Sequence, residues 1–184
     1  MTLERYQAHR KSASPRNGFA WTNAWLTLNK PMPIVTATEL PATGALLGLD
    51  PGTKTVGLAA SDVRRSIATG LLTLNRSKFA KDADIIFSIY KERQCAGIIL
   101  GLPVQMDGIE GPRAQSVRAF ARNLLAVKDV PVLLWDERLS TSAVERTLIE
   151  AGTRRSKRKQ VIDKLAAVYI LQGALDFLTR KTFS

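Results

Sequence analysis

The 184-residue chain is poor in the groups that most enzymes use for catalysis and in those that membranes and secretion require. It has one cysteine, Cys95, which excludes an internal disulfide and a cysteine-cluster metal site and suits a reducing, cytoplasmic setting. It has one histidine, His9, with none downstream. Histidine acid–base chemistry and histidine-held zinc are therefore excluded from the rest of the chain, and carboxylates, lysines or hydroxyls must do any such work. No apolar run approaches the ~20 residues that cross a bilayer, so no membrane partner is expected. The N-terminus has no apolar stretch followed by a small-residue cleavage site, so no secretory signal is read there. Aromatics make up 7% of the chain and are scattered, which argues against a base-stacking platform. Acids are scarce too, 16 against 27 Lys and Arg.

The resulting formal charge of +11 favours polyanionic partners through phosphate neutralisation and counterion release. With 45% hydrophobic residues, the length suits one domain with a proper core. Residues 1–44 lack periodicity and contain Pro15, Pro31, Pro33 and Pro41, and are read as a flexible N-terminal extension. Met32 opens the stretch that leads into the ordered part, so it is the expected translation start, with residues 1–31 an over-called extension. Removing them leaves the chain basic.

From Ala45 onward the pattern sharpens. "ALLGLD", "KTVGLAASD" and "SIATGLLTLN" read as three strands of an antiparallel meander, the first turn being a type II turn with Pro51 second and Gly52 third. "KFAKDADIIFSIYKER" has helical spacing, "CAGIIL" is a strand buried on both faces, and "GPRAQSVRAFARNLLAV" is helical. "VPVLLWDE" is a further buried strand that ends in acids. "STSAVERTLIEAG" is a helix opened by Ser140 and closed by Gly152. A long last helix carries Ile162, Leu165, Ala166, Tyr169, Ile170, Gly173 and Phe177 on one face. The order β-β-β-α-β-α-β-α-α predicts a single α/β domain over residues 45–184, with a mixed sheet and helices on both faces.

Ligands in open α/β sheets lie beyond the carboxyl ends of the strands. Asp50 stands at one such end and Asp136 with Glu137 at another, while Asp163 falls early in the last helix. Acids from separate elements suit Mg²⁺, which takes a few carboxylates along with water and phosphate oxygens. Each also has a plain structural role open to it. Asp50 can cap the Pro51–Gly52 turn, Asp136 or Glu137 can pair with Arg138 or Arg154, and Asp163 can pair with Lys159. The run "RRSKRK", Arg154 to Lys159, is read as a self-repelling mobile loop before the last helix, suited to a nucleic-acid backbone.

Four blocks in order, "GLDPGTKTVGLAASD", "GLPVQMDGIEGPRA", "DERLSTSAVERTLIEAG" and "KRKQVIDKLAAVYILQGALD", resemble the YqgF/RuvX family over about residues 45–180. These RNase H-like proteins are related to Holliday junction resolvases and described as nucleases for pre-16S rRNA. The resemblance implies a five-stranded mixed sheet, three antiparallel strands then two parallel. It implies a nuclease dependent on Mg²⁺ or Mn²⁺, with Asp50, Asp163 and either Glu137 or Asp136 as metal-binding catalytic acids. Asp107 in "MDG" is an outside candidate. Thr53, Lys54 and Arg113 are expected to hold phosphate, and Arg138, Arg154, Arg155, Lys157, Arg158 and Lys159 to hold the strand. The implied partners are structured pre-rRNA or branched DNA, with the ribosomal particle as a setting and no nucleotide cofactor. A non-catalytic RNA-binding assembly factor and a DNA junction resolvase stand as alternatives. An ATP-binding fold of the actin type, whose phosphate loop resembles "GLDPGTK", needs two related domains and does not fit this length.

Overall fold

The computed structural model describes residues 34–139 and 155–182, with side chains described for 34–139 and 165–180. Its centre is a five-stranded sheet built from β1 (Ala45–Pro51), β2 (Thr55–Ser61), β3 (Ala68–Asn75), β4 (Cys95–Leu102) and β5 (Val132–Asp136) in the order β3-β2-β1-β4-β5. β1 pairs antiparallel with β2, and β2 with β3, while β1, β4 and β5 run parallel. The expected architecture is therefore the one observed. β2 is buried along its whole length and β4 nearly so, as their unbroken apolar runs require. Edge strand β3 is only part-covered.

Alternation along the strands divides the core into two layers. On one face Leu47, Leu49, Val56, Leu58, Ile98, Leu100 and Val132 meet α1 (Phe79–Glu92) and α2 (Pro112–Val127). On the other, Leu46, Ala59, Ile99, Leu133 and Trp135 meet the long α3 (Arg155–Thr182). The Phe79 and Phe120 rings lock α1 to α2 edge-on, 5.5 Å apart.

Four expectations change. Residues 34–44 are not a free extension. Ile34 bridges Val132, Val35 and Leu40 are buried, and the Arg65 guanidinium donates to the carbonyls of Pro41, Thr43 and Gly44. Isolated apolar residues among prolines carry no periodic signal, yet each finds a place in the core. The type II turn is not formed either. β1 continues through Pro51, paired with Val56, and Gly52 keeps a φ outside the left-handed region that such a turn needs. The Gly52 amide instead donates to the Asp50 carbonyl at 3.1 Å.

The last helix starts at Arg155, so Arg155, Lys157, Arg158 and Lys159 occupy its first turns and not a loop. Lys, Arg and Gln propagate helix well enough for the run to join the apolar segment behind it. Finally, the buried stripe of α3 is Ala167, Ile170, Leu171, Ala174 and Leu175. Of the described members of the expected stripe, Leu165, Ala166, Tyr169, Ile170, Gly173 and Phe177, only Ile170 is buried, and Phe177 is exposed. Small residues decide the phase: a Cβ on Gly48 would stand 2.7 Å from Leu171 Cβ and 3.2 Å from the Ala167 carbonyl oxygen. The helix backbone presses on the sheet where Gly48 permits it. The helix expected over "STSAVERTLIEAG", residues 140–152, lies outside the described residues, as does residue 154.

Candidate active site

β1, β4 and β5 are parallel, so their carboxyl ends share one edge of the sheet. Asp50 sits at that edge in register with Gly57 of β2. It shares its strand face with Leu46 and Gly48, the face covered by α3. Along β5, Leu133 and Trp135 point to the same side. The alternation sends Asp136, the last residue of β5, away from that side, and a 3-10 turn, Glu137–Leu139, brings the Glu137 side chain back toward α3.

The packing agrees. A Cβ built on Gly101 of β4 would lie 2.9 Å from Glu137 Oε1 and would collide with Ile170 Cδ1. The absent side chain of Gly101 is thus the space that the Glu137 carboxylate fills. Glu137 is half-buried, and its pKa is pushed from 4.5 up to about 7. Burial is the main cause, repulsion from Asp50 the second, and Asp136 adds to it. Arg113 pulls the other way. Asp50 and Glu137 therefore stand within electrostatic reach of each other, at the ends of two strands that are not neighbours.

Asp136 has a different occupation. Its carboxylate takes the Arg138 guanidinium (Nη2 to Oδ2, 2.6 Å) and the Arg138 amide (3.0 Å). The Arg138 hydrogen bonds hold it below the usual carboxylate range. Arg138 also donates to the Gln105 carbonyl, so its fork ties the β5 end to the loop before α2. Asp107 closes a small turn by accepting the Ile109 amide at 2.9 Å, beside Gly108 at φ +84°.

Asp163 lies on α3 one turn before Ala167, and its side chain is outside the described set. The corrected phase matters here, because 163, 167, 170 and 174 share the sheet-facing side of the helix. Gln172 bonds Ala68 at the far end of the sheet, and Leu171 overlies Gly48. Position 163 lies four residues before Ala167, whose carbonyl oxygen also meets Gly48, and four residues at ~1.5 Å each advance the helix about 6 Å away from the Gln172 end. Among the described residues no three His, Cys, Asp or Glu side chains gather as a metal cage. Asp50 and Glu137 are the two that approach. An oxygen-only pair held against its own repulsion has the donor chemistry of a Mg²⁺ or Mn²⁺ site, which takes carboxylates and leaves room for water and phosphate.

Beside the pair, Thr53 and Arg113 line a cleft of about 210 Å³ together with Pro51, Gly52, Pro112, Arg76 and Ser116. Lys54 is exposed on the same turn but does not line the cleft. Arg155, Lys157, Arg158 and Lys159 stand on the amino-terminal turns of α3. Arg76 was not singled out from the sequence. The meander carries the signal: Asn75 pairs with Thr55, so the next residue must lie against the 52–54 turn. Among the described residues no helix is long and apolar enough to cross a membrane.

A family model described as "RuvX: Holliday junction resolvase" matches residues 44–177. A relative from Rhodospirillum rubrum is 57% identical over 146 residues, 79% of this chain and 91% of that one. One from Cereibacter sphaeroides is 63% identical over 140 residues, 76% of this chain and 88% of that one. Both are named "Putative pre-16S rRNA nuclease". Among solved structures, RuvC of T. thermophilus in complex with a Holliday junction substrate aligns with a TM-score of 0.49 at 14% identity, covering 75% of this chain and 96% of that one. The yeast mitochondrial Holliday junction resolvase Ydc2 aligns at 0.47 and 14%, covering 75% and 80%. The match to the family model over most of the folded domain, joined by relatives more than half identical, places the chain in the RuvX family.

Proposed function

We propose that this protein is a divalent-metal-dependent nuclease that hydrolyses phosphodiester bonds of pre-16S rRNA during ribosome biogenesis. The observation that carries the reading is the approach of Asp50 and Glu137 at one sheet edge, with Glu137 held up to about 7 by burial and by Asp50. A repelling carboxylate pair costs stability, which suits a site whose ligand neutralises it. Asp50 and Glu137 are the proposed ligands, and position 163 completes the set from α3. A metal bound there supplies water activation and charge neutralisation at phosphorus. Asp136 is left out of the set, because it holds Arg138. The basic residues at the start of α3 are proposed to hold the strand through its phosphates, as the +11 charge favours.

The RNA substrate follows the names of the relatives. The family description supports branched DNA as a second substrate. Both are tested together, with a pre-16S rRNA end fragment and a four-way DNA junction incubated with the protein in Mg²⁺ or Mn²⁺. Asp50→Asn should lower cleavage by more than the ~10–100-fold that supporting residues of metal sites are worth, while the melting curve stays cooperative. Full activity in that variant refutes the site. Cleavage of the junction alone moves the assignment to DNA, and binding without cleavage of either makes the protein an assembly factor.

A further inference from the structure

We infer that the cleft between the β1–β2 turn and the start of α2 is a phosphate subsite for the nucleic-acid backbone, with Arg76 as its principal reader. The inference rests on the nuclease reading and adds to it a second contact point on the strand, beside the carboxylates. Arg76 and Arg113 both line the cleft, one from beyond β3 and one from the first turn of α2. The described ion pairs are Arg93–Glu92, Arg118–Glu110 and Arg138–Asp136, and neither cleft arginine belongs to them. Two like charges thus converge on one concavity outside any described ion pair, with only the field of Glu137 reaching Arg113. An anion between them relieves the repulsion.

Arg76 is fixed in advance. Its Nη1 donates to the Gly52 carbonyl at 2.9 Å, and its guanidinium lies over the Phe120 ring, 5.5 Å from the centroid. A hydrogen bond from its own amide to the Lys54 carbonyl anchors its backbone to the same turn. A fork held on two sides loses little freedom on binding, and guanidinium geometry matches phosphate. Thr53 and Ser116 add hydroxyls to the lining. α2 opens with Pro112 and has no acid in its first turn, so the positive end of its dipole adds to the same potential.

Size and position decide between ligands. At about 210 Å³ the cleft falls below the roughly 300–1,000 Å³ of pockets that enclose a whole small molecule. It accepts a phosphate with part of its sugar and not a nucleotide cofactor. The field of Arg113 reaches Glu137, so the subsite adjoins the carboxylate pair. A strand whose scissile phosphate lies at Asp50 and Glu137 can place a neighbouring phosphate in this cleft.

The test measures binding of a fluorescein-labelled single-stranded 12-mer RNA by anisotropy in EDTA, so that cleavage plays no part. The probe is used intact and in versions with one linkage at a time made a neutral methylphosphonate. Wild type is compared with Arg76→Gln and with Lys91→Gln, an exposed change on α1, each checked for a wild-type melting curve. Arg76→Gln should weaken binding of the intact probe about tenfold, in the range of a charged hydrogen bond, and reduce the salt slope by about 0.7 for one lost phosphate contact. At one linkage, neutralisation should cost wild type and Lys91→Gln that same factor and cost Arg76→Gln nothing further. Equal losses in all three proteins at every linkage overturn the subsite while leaving nucleic-acid binding intact. No binding by wild type overturns the subsite and the nucleic-acid reading together.

Discussion

Replacing Glu137 by glutamine should stabilise the metal-free protein at alkaline pH while destroying its activity. The Glu137 carboxyl ionises at about 7 in the fold against an ordinary 4.5, because it is buried and faces Asp50. A carboxyl whose folded pKa is raised weakens the fold when it ionises. The penalty is absent below about 4.5, grows as pH rises between the two values and is complete above about 7. At roughly 1.4 kcal/mol per pH unit the ceiling is about 3 kcal/mol. Glu137 is only half-buried, and screening by water lowers that to about 1–1.5 kcal/mol. For a domain of this size that is a melting-temperature gain of about 3–5 °C. Thermal melts in EDTA at pH 5 and pH 8 should give Glu137→Gln the higher midpoint at pH 8, with the gap closing toward pH 5. Mg²⁺ should then reverse the order. At ten times its dissociation constant, a ligand bound only by the folded state adds about 1.4 kcal/mol, and the glutamine variant should gain far less. A gap that is the same at both pH values, or a glutamine variant less stable than wild type at pH 8, refutes the argument that Glu137 is held ionised against its surroundings.

Two further variants separate the roles of neighbouring residues. Asp136→Asn removes only a part-exposed pair with Arg138, so it should cost at most about 1 kcal/mol in a melt and leave cleavage within about tenfold of wild type; a loss as deep as that of Asp50→Asn would make Asp136 a ligand. Gly101→Ala puts a methyl group where Glu137 Oε1 and Ile170 Cδ1 now sit. It should destabilise by about 1–3 kcal/mol and depress cleavage even well below the melting transition, since the carboxylate must move; normal turnover at low temperature would show that Glu137 is not needed where it stands.

The order of elements, the mixed sheet and the helices on both faces were legible because apolar runs and their spacing encode them locally. The choice between Asp136 and Glu137 stayed open in the sequence, because a motif alone does not make it. The structure separates their surroundings: β5 ends at Asp136, which pairs with Arg138, and a 3-10 turn begins at Glu137, whose carboxylate lies beside the bare Cα of Gly101. What the sequence hid were features set by what is small or distant. The phase of α3 follows Ala167, Ala174 and Gly48, which are weak in any hydrophobic pattern, so the bulky stripe pointed about one residue off. Val35 and Leu40 gave no period, and their burial depends on Arg65 reaching three carbonyls more than twenty residues back.

These hidden features are also the ones that bring the acids together. Gly48 and Gly101 sit on the α3 face of the two parallel strands at the centre of the sheet, each where a Cβ would strike α3. Their bareness lets α3 lie closer to the sheet there than side chains would allow. The same bareness at Gly101 gives the Glu137 carboxylate its place, next to Ile170 and in the field of Asp50. One steric device, two glycines beneath one helix, therefore governs the depth of α3 and the burial that raises Glu137. Gly101→Ala perturbs that burial directly, whereas a side chain at Gly48 acts on it through the height of the helix.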